Sequence, residues 1–427
     1  MESRAGDNPC NYVSLGAPLH ERTPNGASST MPLRPANWLL ALFSAAAVAG
    51  FVLVHQRALH DWQIDLHLYA YALDVWRAGL DPYRAEFLAM YYLYPPVFLY
   101  LEGFLANLLP GPWGRISFTA LHLSATCALP LVLAHFYFRK PWLTPWFALL
   151  LFFASPRFTG MLVLCEMNIA TILYFLGFVA AAPGIRRNRW EWFYVAVFLA
   201  AMVKFTFLAM LLLPLLAGRR QWIQSVICGA AVAAANLGQM VLWPQLYQEY
   251  RWAMTRGILD QQAFGFGVFG VMASYNSKHS GGVGRAPFVI SGILAVLLAV
   301  SMFVLWRKLR SAYGSAIDLA GNGNWLALVV ITIILVNPRL MQYDVDIALL
   351  AAYVLLVYGL RAKRLLLLYI LLFLPSLLVP LVILNPHLHG VYESLIAFVA
   401  FGIGYWRLWR EADGENPELL HPAVTTA

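Results

Sequence analysis

The sequence predicts an all-α polytopic membrane protein, because its composition suits a chain whose main solvent is a lipid bilayer. Hydrophobic residues make up 61% of the 427 residues and charged residues only 12%, whereas soluble domains are about a quarter charged. Apolar stretches recur from Asn37 to Trp409, and about 20 such residues cross the hydrocarbon core once as a helix. We therefore expect a bundle of about 10 to 13 transmembrane helices.

The apolar stretches predict the individual spans. The clearest lie at 37–55, 116–138, 142–156, 166–182, 221–243, 286–306, 324–337, 343–360, 363–384 and 390–407. Two further stretches are less regular, because 94–109 begins at Tyr94-Pro95-Pro96 and 191–217 is interrupted by Lys204. We expect 94–109 to return to the outer side and 191–217 to form a broken hairpin with its apex near Lys204.

The basic residues predict how the chain is oriented. The net charge of +8 comes from short Arg and Lys clusters between apolar runs, which is typical of cytoplasmic loops and not of a nucleic-acid-binding surface. Both termini are then cytoplasmic, and the polar loops that remain face outward. We expect 1–33 to be a disordered cytoplasmic tail and not a signal peptide, 34–410 to form one membrane domain, and 411–427 to be a cytoplasmic tail.

The first outer loop carries the first candidate chemistry. Asp65 and Tyr69 fall on one side of a short predicted helix, as an amphipathic helix at the membrane surface requires. Asp65 lies near the start of this helix, so it is either a functional carboxylate or a simple N-cap. Asp81 and Tyr83 follow in Gly79-Leu-Asp81-Pro82-Tyr83.

Lys204 is a functional candidate, because a charge at membrane depth is costly unless it is paired or hydrated. Its expected partner is an anion. A structural ion pair with Asp344 or Glu166 is the competing interpretation.

Three more outer segments are rich in polar residues. Glu166 and Asn168 open a span, where they serve either a site or ordinary helix capping. Arg339 has the planar donor fork that binds phosphate, although Asp344 is an equally good partner for it. The polar residues of these segments that we single out are Glu166, Asn168, Asn276, Lys278, His279, Arg339, Gln342, Tyr343 and Asp344.

The chain shows no strong metal signature. Its four cysteines are far apart and form no C-x-x-C pair, so we expect them to be packing residues. Asp344-Val-Asp346 has the form of a metal-binding acidic pair, which leaves a metal open.

Taken in order along the chain, these segments resemble the GT-C glycosyltransferases, in particular glycosyltransferase family 87, which includes polyprenyl-phosphate-mannose-dependent mannosyltransferases and related arabinofuranosyl enzymes. The matching elements are Asp65-Leu-His-Leu-Tyr69, Gly79-x-Asp81-Pro-Tyr83, Tyr94-Pro95-Pro96, the Asn168 turn, Lys204, Asn276-Ser277 and Asn337-Pro338. The chain departs from the usual pattern at Glu166, where Gln is common, at Phe205-Thr206, where Lys-Pro is usual, and at Gln342-Tyr343, where many relatives carry Trp and His.

The resemblance implies a GT-C-like catalytic domain over residues 34–410 and an inverting transfer of a sugar, most often mannose, from a polyprenyl-phosphate donor to a glycolipid or glycan. Asp65 is the implied general base, and Lys204, Arg339 and Lys278 are the implied ligands of the donor phosphate. The implied substrate ligands are Tyr69, Asp81, Tyr83, Glu166, Asn168, Asn276, His279, Gln342, Tyr343 and Asp344.

Neither a cofactor nor a metal is expected to be needed, and no nucleic acid is expected as a partner. The resemblance also favours a bacterial plasma membrane, with the site facing outward. The alternatives are a secondary transporter or flippase, for which an intramembrane lysine and broken helices are also typical, and a noncatalytic protein of envelope assembly.

Overall fold

The computed structural model describes residues 62–155, 159–217, 221–260, 264–314, 318–382 and 390–414, together with residue 49. The described chain from residue 62 onward belongs to one compact unit. It is almost entirely helical, with a single two-stranded antiparallel hairpin among the described residues. The predicted all-α polytopic fold is confirmed.

Sixteen α-helices occur in the described part of the chain. They are α1 Ile64–Arg77, α2 Pro96–Leu108, α3 Pro112–Val132, α4 Pro145–Phe153, α5 Thr159–Glu166, α6 Ile169–Arg187, α7 Glu191–Val203, α8 Leu212–Leu216, α9 Trp222–Leu242, α10 Pro244–Asp260, α11 Val268–Ser280, α12 Ala286–Tyr313, α13 Gly323–Leu335, α14 Gln342–Gly359, α15 Leu365–Val382 and α16 Val391–Ala412.

Five helices of the described residues are long and apolar enough to cross a membrane, so the protein is multi-pass. They are α3 with its π-helical continuation to Phe138, α6, α9, α12 and α14. Four shorter apolar helices accompany them, at 96–108, 191–203, 205–216 and 323–335. The predicted span 37–55 and the predicted tail 1–33 lie outside the described residues, apart from residue 49, and the total of 10 to 13 crossings stays a prediction.

The core of the bundle is built by α13 and α14. Every residue from Gly323 to Leu335 is buried, and so is every residue from Tyr343 to Val357. A helix that is apolar on all sides has no polar face to turn outward, so it takes a central position among other helices. By contrast, α12 leaves residues such as Val289 and Val296 more than half exposed, as expected of a helix whose outer face contacts lipid.

Two predicted apolar runs are interrupted in the structure. Helix α7 ends at Val203, Lys204 is extended (φ −144°, ψ 106°), and a 3₁₀ segment, Phe205–Leu211, leads into α8. The interruption predicted at Lys204 is therefore present. The stretch predicted to span at 142–156 contains only the nine-residue helix α4, about half the length needed for one crossing.

The segment at 62–95, which includes the predicted first outer loop, contains a helix and a short hairpin. The amphipathic helix predicted there is α1, which buries Leu68, Tyr69, Ala72 and Leu73. It is followed by the hairpin of β1, Glu86–Phe87, and β2, Met90–Tyr91, with Glu86 opposite Tyr91. Helix α2 then starts with Pro96 in its first turn, where the missing amide hydrogen of proline costs no helical hydrogen bond.

Candidate active site

A cavity of about 440 Å³ lies beneath α1 and the hairpin. Its walls come from segments that are far apart in the chain, including the break at Lys204 and the turn that precedes α14. Eight of the predicted site residues line it, namely Asp65, Glu166, Asn168, Lys204, Arg339, Gln342, Tyr343 and Asp344. Five of these residues are ionisable, and the fold places all five around a single space, whereas Lys278, the sixth ionisable residue that we expected on the same membrane face, does not line it.

Asp65 is held in this cavity by Asn168. The Asn168 Nδ2 donates a hydrogen bond of 2.7 Å to Asp65 Oδ2, whereas Asp65 Oδ1 accepts no hydrogen bond from the described residues. The N-cap of α1 is Gln63, which makes no side-chain capping bond, so the interpretation of Asp65 as a simple N-cap is wrong. The carboxylate is therefore oriented through one oxygen and keeps the other for a ligand.

Helix capping fixes the orientation of the Asn168 amide. Asn168 is the N-cap of α6, and its Oδ1 accepts from the backbone amide of Ala170 at 2.9 Å. The Nδ2 group must therefore point the other way, toward Asp65. Asn168 is therefore the cap of α6 and also a hydrogen-bond donor to Asp65, which confirms the capping interpretation, while its contact with substrate stays a prediction.

Burial and charge act on Asp65 in opposite directions. Burial raises the pKa of the Asp65 carboxyl above its ordinary value, while the Asn168 hydrogen bond and the nearby positive charge of Lys204 lower it. Both of these interactions favour the ionised form, which is the form that accepts a proton.

Two tyrosines support the Asn168 amide. The hydroxyls of Tyr69 and Tyr94 are 2.8 Å apart, and Asn168 Nδ2 also lies 3.3 Å from Tyr94 Oη. The backbone amide of Ile169 donates to Tyr69 Oη at 3.3 Å. Tyr69 was predicted as a substrate ligand, but it is 4% exposed and does not line the cavity, so we infer that it positions Asn168 and Tyr94.

Lys204 faces the cavity as a cation without a carboxylate partner. Its Nζ donates a hydrogen bond to Tyr343 Oη and lies 4.0 Å from the centroid of that ring, with the Tyr94 ring at 5.9 Å. Within the described residues it makes no salt bridge, so the predicted alternative of an ion pair with Asp344 or Glu166 is not formed. Aromatic faces stabilise a cation without neutralising it, so no carboxylate contact competes with an incoming anion for Lys204.

The turn before α14 arranges the remaining polar groups. Asp344 accepts hydrogen bonds from Tyr174 Oη at 2.6 Å, Asn337 Nδ2 at 3.2 Å and the Met341 amide at 2.9 Å. Asn337 Oδ1 in turn accepts from the backbone amide of Arg339 at 3.1 Å. Asp344 therefore stabilises the turn that brings Arg339 to the cavity wall.

The second acidic residue of the Asp344-Val-Asp346 pair points elsewhere. Asp346 is fully buried and accepts from Ser155 Oγ at 3.2 Å, whereas Asp344 binds Tyr174 and Asn337. Because the two carboxylates have different protein partners, they do not form a common pair of ligands for one metal ion.

Several predicted substrate ligands do not reach the cavity. Asp81 Oδ1 accepts from the Tyr83 amide at 2.9 Å, and Tyr83 is buried beside Tyr92. Asn276, Lys278 and His279 lie on α11, where Asn276 Nδ2 binds the Val283 carbonyl and His279 stacks on Tyr275. None of these five residues lines the cavity, and any contact with substrate stays a prediction.

Sequence reasoning missed other residues of the wall. Tyr94 was noted only as part of Tyr94-Pro95-Pro96, although its hydroxyl contacts Asn168. Met90 and Tyr91 come from the hairpin, and Tyr250 and Met254 come from α10. Tyr250 and Met254 are four residues apart, the spacing of one helix face, which was the one signal in the sequence that pointed to them.

Fold and cavity together define a multi-pass membrane protein with three carboxyl groups and two cationic side chains around one space. The model of glycosyltransferase family 87 matches residues 92–329, more than half of the chain, and the protein belongs to that family. It is accordingly a membrane glycosyltransferase, which confirms the resemblance seen in the sequence. No match was found among curated proteins or among solved structures. The matched segment contains Asn168 and Lys204, whereas Asp65 precedes it and Arg339 follows it.

Proposed function

We propose that the protein transfers a hexose or pentose, with mannose as the favoured sugar, from a polyprenyl-phosphate donor to a hydroxyl of a glycolipid or glycan, with inversion at the anomeric carbon. The observation that carries this proposal is that Asp65 and Lys204 line the same cavity. The carboxylate suits the acceptance of a proton, and the amine suits the binding of a phosphate. Asp65 Oδ1 has no protein donor, and Lys204 has no carboxylate partner within the described residues.

Asp65 is the proposed general base. It takes the proton from the acceptor hydroxyl as that oxygen attacks the anomeric carbon and the bond to the donor phosphate breaks. Positioned general-base catalysis is worth typically about 10² to 10⁴ in rate. Because the Asn168 hydrogen bond and Lys204 favour the ionised carboxylate, the residue is prepared to accept that proton.

Lys204 and Arg339 are the proposed ligands of the donor phosphate. Negative charge grows on the phosphate as it leaves, and fixed cations stabilise that charge at the moment it develops. Both residues line the cavity that contains Asp65. Two cations are enough to stabilise a phosphate leaving group, so the proposed mechanism includes no metal.

The proposed location is a bacterial plasma membrane, with the cavity on the outer side and both termini in the cytoplasm. The basic clusters between the apolar runs support this orientation. A polyprenyl-phosphate donor is itself anchored in the membrane, which suits a cavity formed by membrane helices and an amphipathic surface helix.

The donor class is tested with membranes that contain the protein and membranes that lack it. Radiolabelled polyprenyl-phosphate-mannose and radiolabelled nucleotide-mannose are offered separately, and label in endogenous glycolipids is measured. We expect transfer from the lipid-linked donor alone, with the anomeric configuration of the product opposite to that of the donor. Direct transfer from the nucleotide sugar, or retained configuration, would contradict the proposal.

A further inference from the structure

A second carboxylate, Glu166, shares the cavity with Asp65. Glu166 is the last residue of α5, and Met167, with φ at +59°, separates it from the Asn168 cap of α6. This turn directs both Glu166 and Asn168 into the space below α1. Two carboxylates, and the amide that orients one of them, therefore lie in one cavity.

Glu166 has few partners of its own. Gln342 Nε2 is 3.5 Å from Glu166 Oε1, which is at the long limit of a hydrogen bond. Within the described residues Glu166 makes no salt bridge. The ionised form would therefore be stabilised by one distant amide, with Asp65 as a repelling neighbour.

The charges around the cavity also disfavour an ionised Glu166. The titratable groups that line the cavity with Glu166 are Asp65, Lys204, Arg339 and Asp344 and the tyrosines Tyr91, Tyr94, Tyr250 and Tyr343, whereas His122 and Asp346 are buried and do not line it. Lys204 and Arg339 balance Asp65 and Asp344, so the phosphate of a lipid-linked donor already adds an unbalanced negative charge. An ionised Glu166 would add another in a space of low dielectric, where like charges strongly favour protonation of one group.

We propose that Glu166 works as an uncharged carboxylic acid and donates a hydrogen bond to a hydroxyl of the transferred sugar. This proposal rests on the glycosyl transfer proposed above. In the proposed reaction the acceptor oxygen contacts Asp65, and the donor phosphate contacts Lys204 and Arg339. Glu166 is then the carboxyl group of the cavity wall that can contact the hydroxyls of the sugar ring. Burial, together with the charge of Asp65, raises the pKa of Glu166 to about 8.

The proton on Glu166 is observed directly by infrared spectroscopy. Purified full-length protein in lipid nanodiscs is titrated from pH 6 to pH 10, and the carbonyl band of a protonated carboxyl is followed. We expect a band that is lost with a midpoint near pH 8 and is absent in Glu166→Gln. In Asp65→Asn the midpoint should move to lower pH, because the repelling charge is gone. A band in Glu166→Gln identical to that of the unaltered protein would overturn the proposal.

Transfer rates test whether a hydrogen bond from uncharged Glu166 to the sugar contributes to the reaction. The amide of Glu166→Gln keeps a neutral donor, so we expect it to retain more of the kcat/KM at pH 7 than Glu166→Ala, which should lose about 3- to 10-fold relative to the unaltered protein. At pH 9 about a tenth of a group with a pKa near 8 is still protonated, so the unaltered protein should be slowed and Glu166→Gln should be slowed less. Equal losses in Glu166→Gln and Glu166→Ala would overturn the proposal.

The two readouts separate this proposal from the proposed function. If the unaltered protein transfers no sugar from any lipid-linked donor, the function is contradicted, and the infrared titration still decides whether Glu166 holds a proton. If transfer occurs but no protonated Glu166 is detected at pH 7, only the present inference fails.

Discussion

The substitution Asn168→Ser separates the two roles of the Asn168 side chain, which caps α6 and donates a hydrogen bond to Asp65. Serine is a good N-cap, so it retains the bond to the start of α6 that Asn168 Oδ1 makes to Ala170. It has no amide to replace the 2.7 Å hydrogen bond to Asp65. Hydrogen bonds to charged groups contribute about 1.5–3 kcal/mol, which corresponds to a rate loss of about 10- to 160-fold if all of it acts in the transition state.

The pH dependence of Asn168→Ser has a definite sign. The Asn168 hydrogen bond lowers the pKa of Asp65, so its removal raises that pKa. A general base is active when it is ionised, so its activity is present above the pKa and is lost as the pH falls through it. The acidic limb of the rate profile should therefore move to higher pH in Asn168→Ser.

Asn322→Ser is the matched control. Asn322 caps α13, and its Oδ1 accepts from the amides of Asn324 and Trp325, each at 3.0 Å. The assay measures initial rates of transfer between pH 5 and pH 9, with thermal unfolding of both variants alongside. We expect both to unfold close to the unaltered protein and only Asn168→Ser to lose rate. Equal rates and coincident pH profiles for the two variants would refute the positioning of Asp65 by Asn168.

Two further predictions use paired variants. Lys204→Met should lower transfer by about 10- to 100-fold, because a charged ligand of the donor phosphate is lost. Lys278→Met should have little effect, because Lys278 is exposed on α11. Equal losses of transfer in the two variants would show that Lys278 also binds the phosphate. Gly323→Ala should lower the unfolding temperature, since its Cβ would collide with the Phe138 carbonyl, at a cost of about 1–3 kcal/mol. Gly292→Ala meets no atom within 4 Å and should unfold like the unaltered protein, so a loss of stability in both variants would refute the packing argument.

The sequence was informative wherever a polar group interrupted an apolar run. A break was predicted at Lys204 because a charge at membrane depth is costly unless it is paired or hydrated. Helix α7 does end at Val203, the residue before it. Asp65 was placed at the start of an amphipathic helix by the spacing of polar and apolar residues alone. The bounds of the long helices followed the apolar stretches closely, because membrane spans have a fixed minimum length.

Contacts between distant segments were not predictable. Asn168 and Asp65 are 103 residues apart, and no local pattern reports that an amide at the start of α6 reaches a carboxylate on α1. The polar segment from Asn276 to His279 has the composition of a ligand site, yet it lies on α11, where Asn276 binds the Val283 carbonyl and His279 the Tyr275 carbonyl. Composition gives the polarity of a loop, whereas the direction of each side chain depends on packing.

The central claim is tested most directly by Asp65→Asn measured against Asp74→Asn. Asp74 lies on the same helix, and its side chain is exposed, so its variant controls for expression, insertion and loss of one negative charge from α1. At equal amounts of protein, we expect transfer of labelled sugar from polyprenyl-phosphate-mannose to fall by about 10² or more in Asp65→Asn and to remain in Asp74→Asn. Transfer by Asp65→Asn at the rate of the unaltered protein would contradict the assignment of Asp65 as the base.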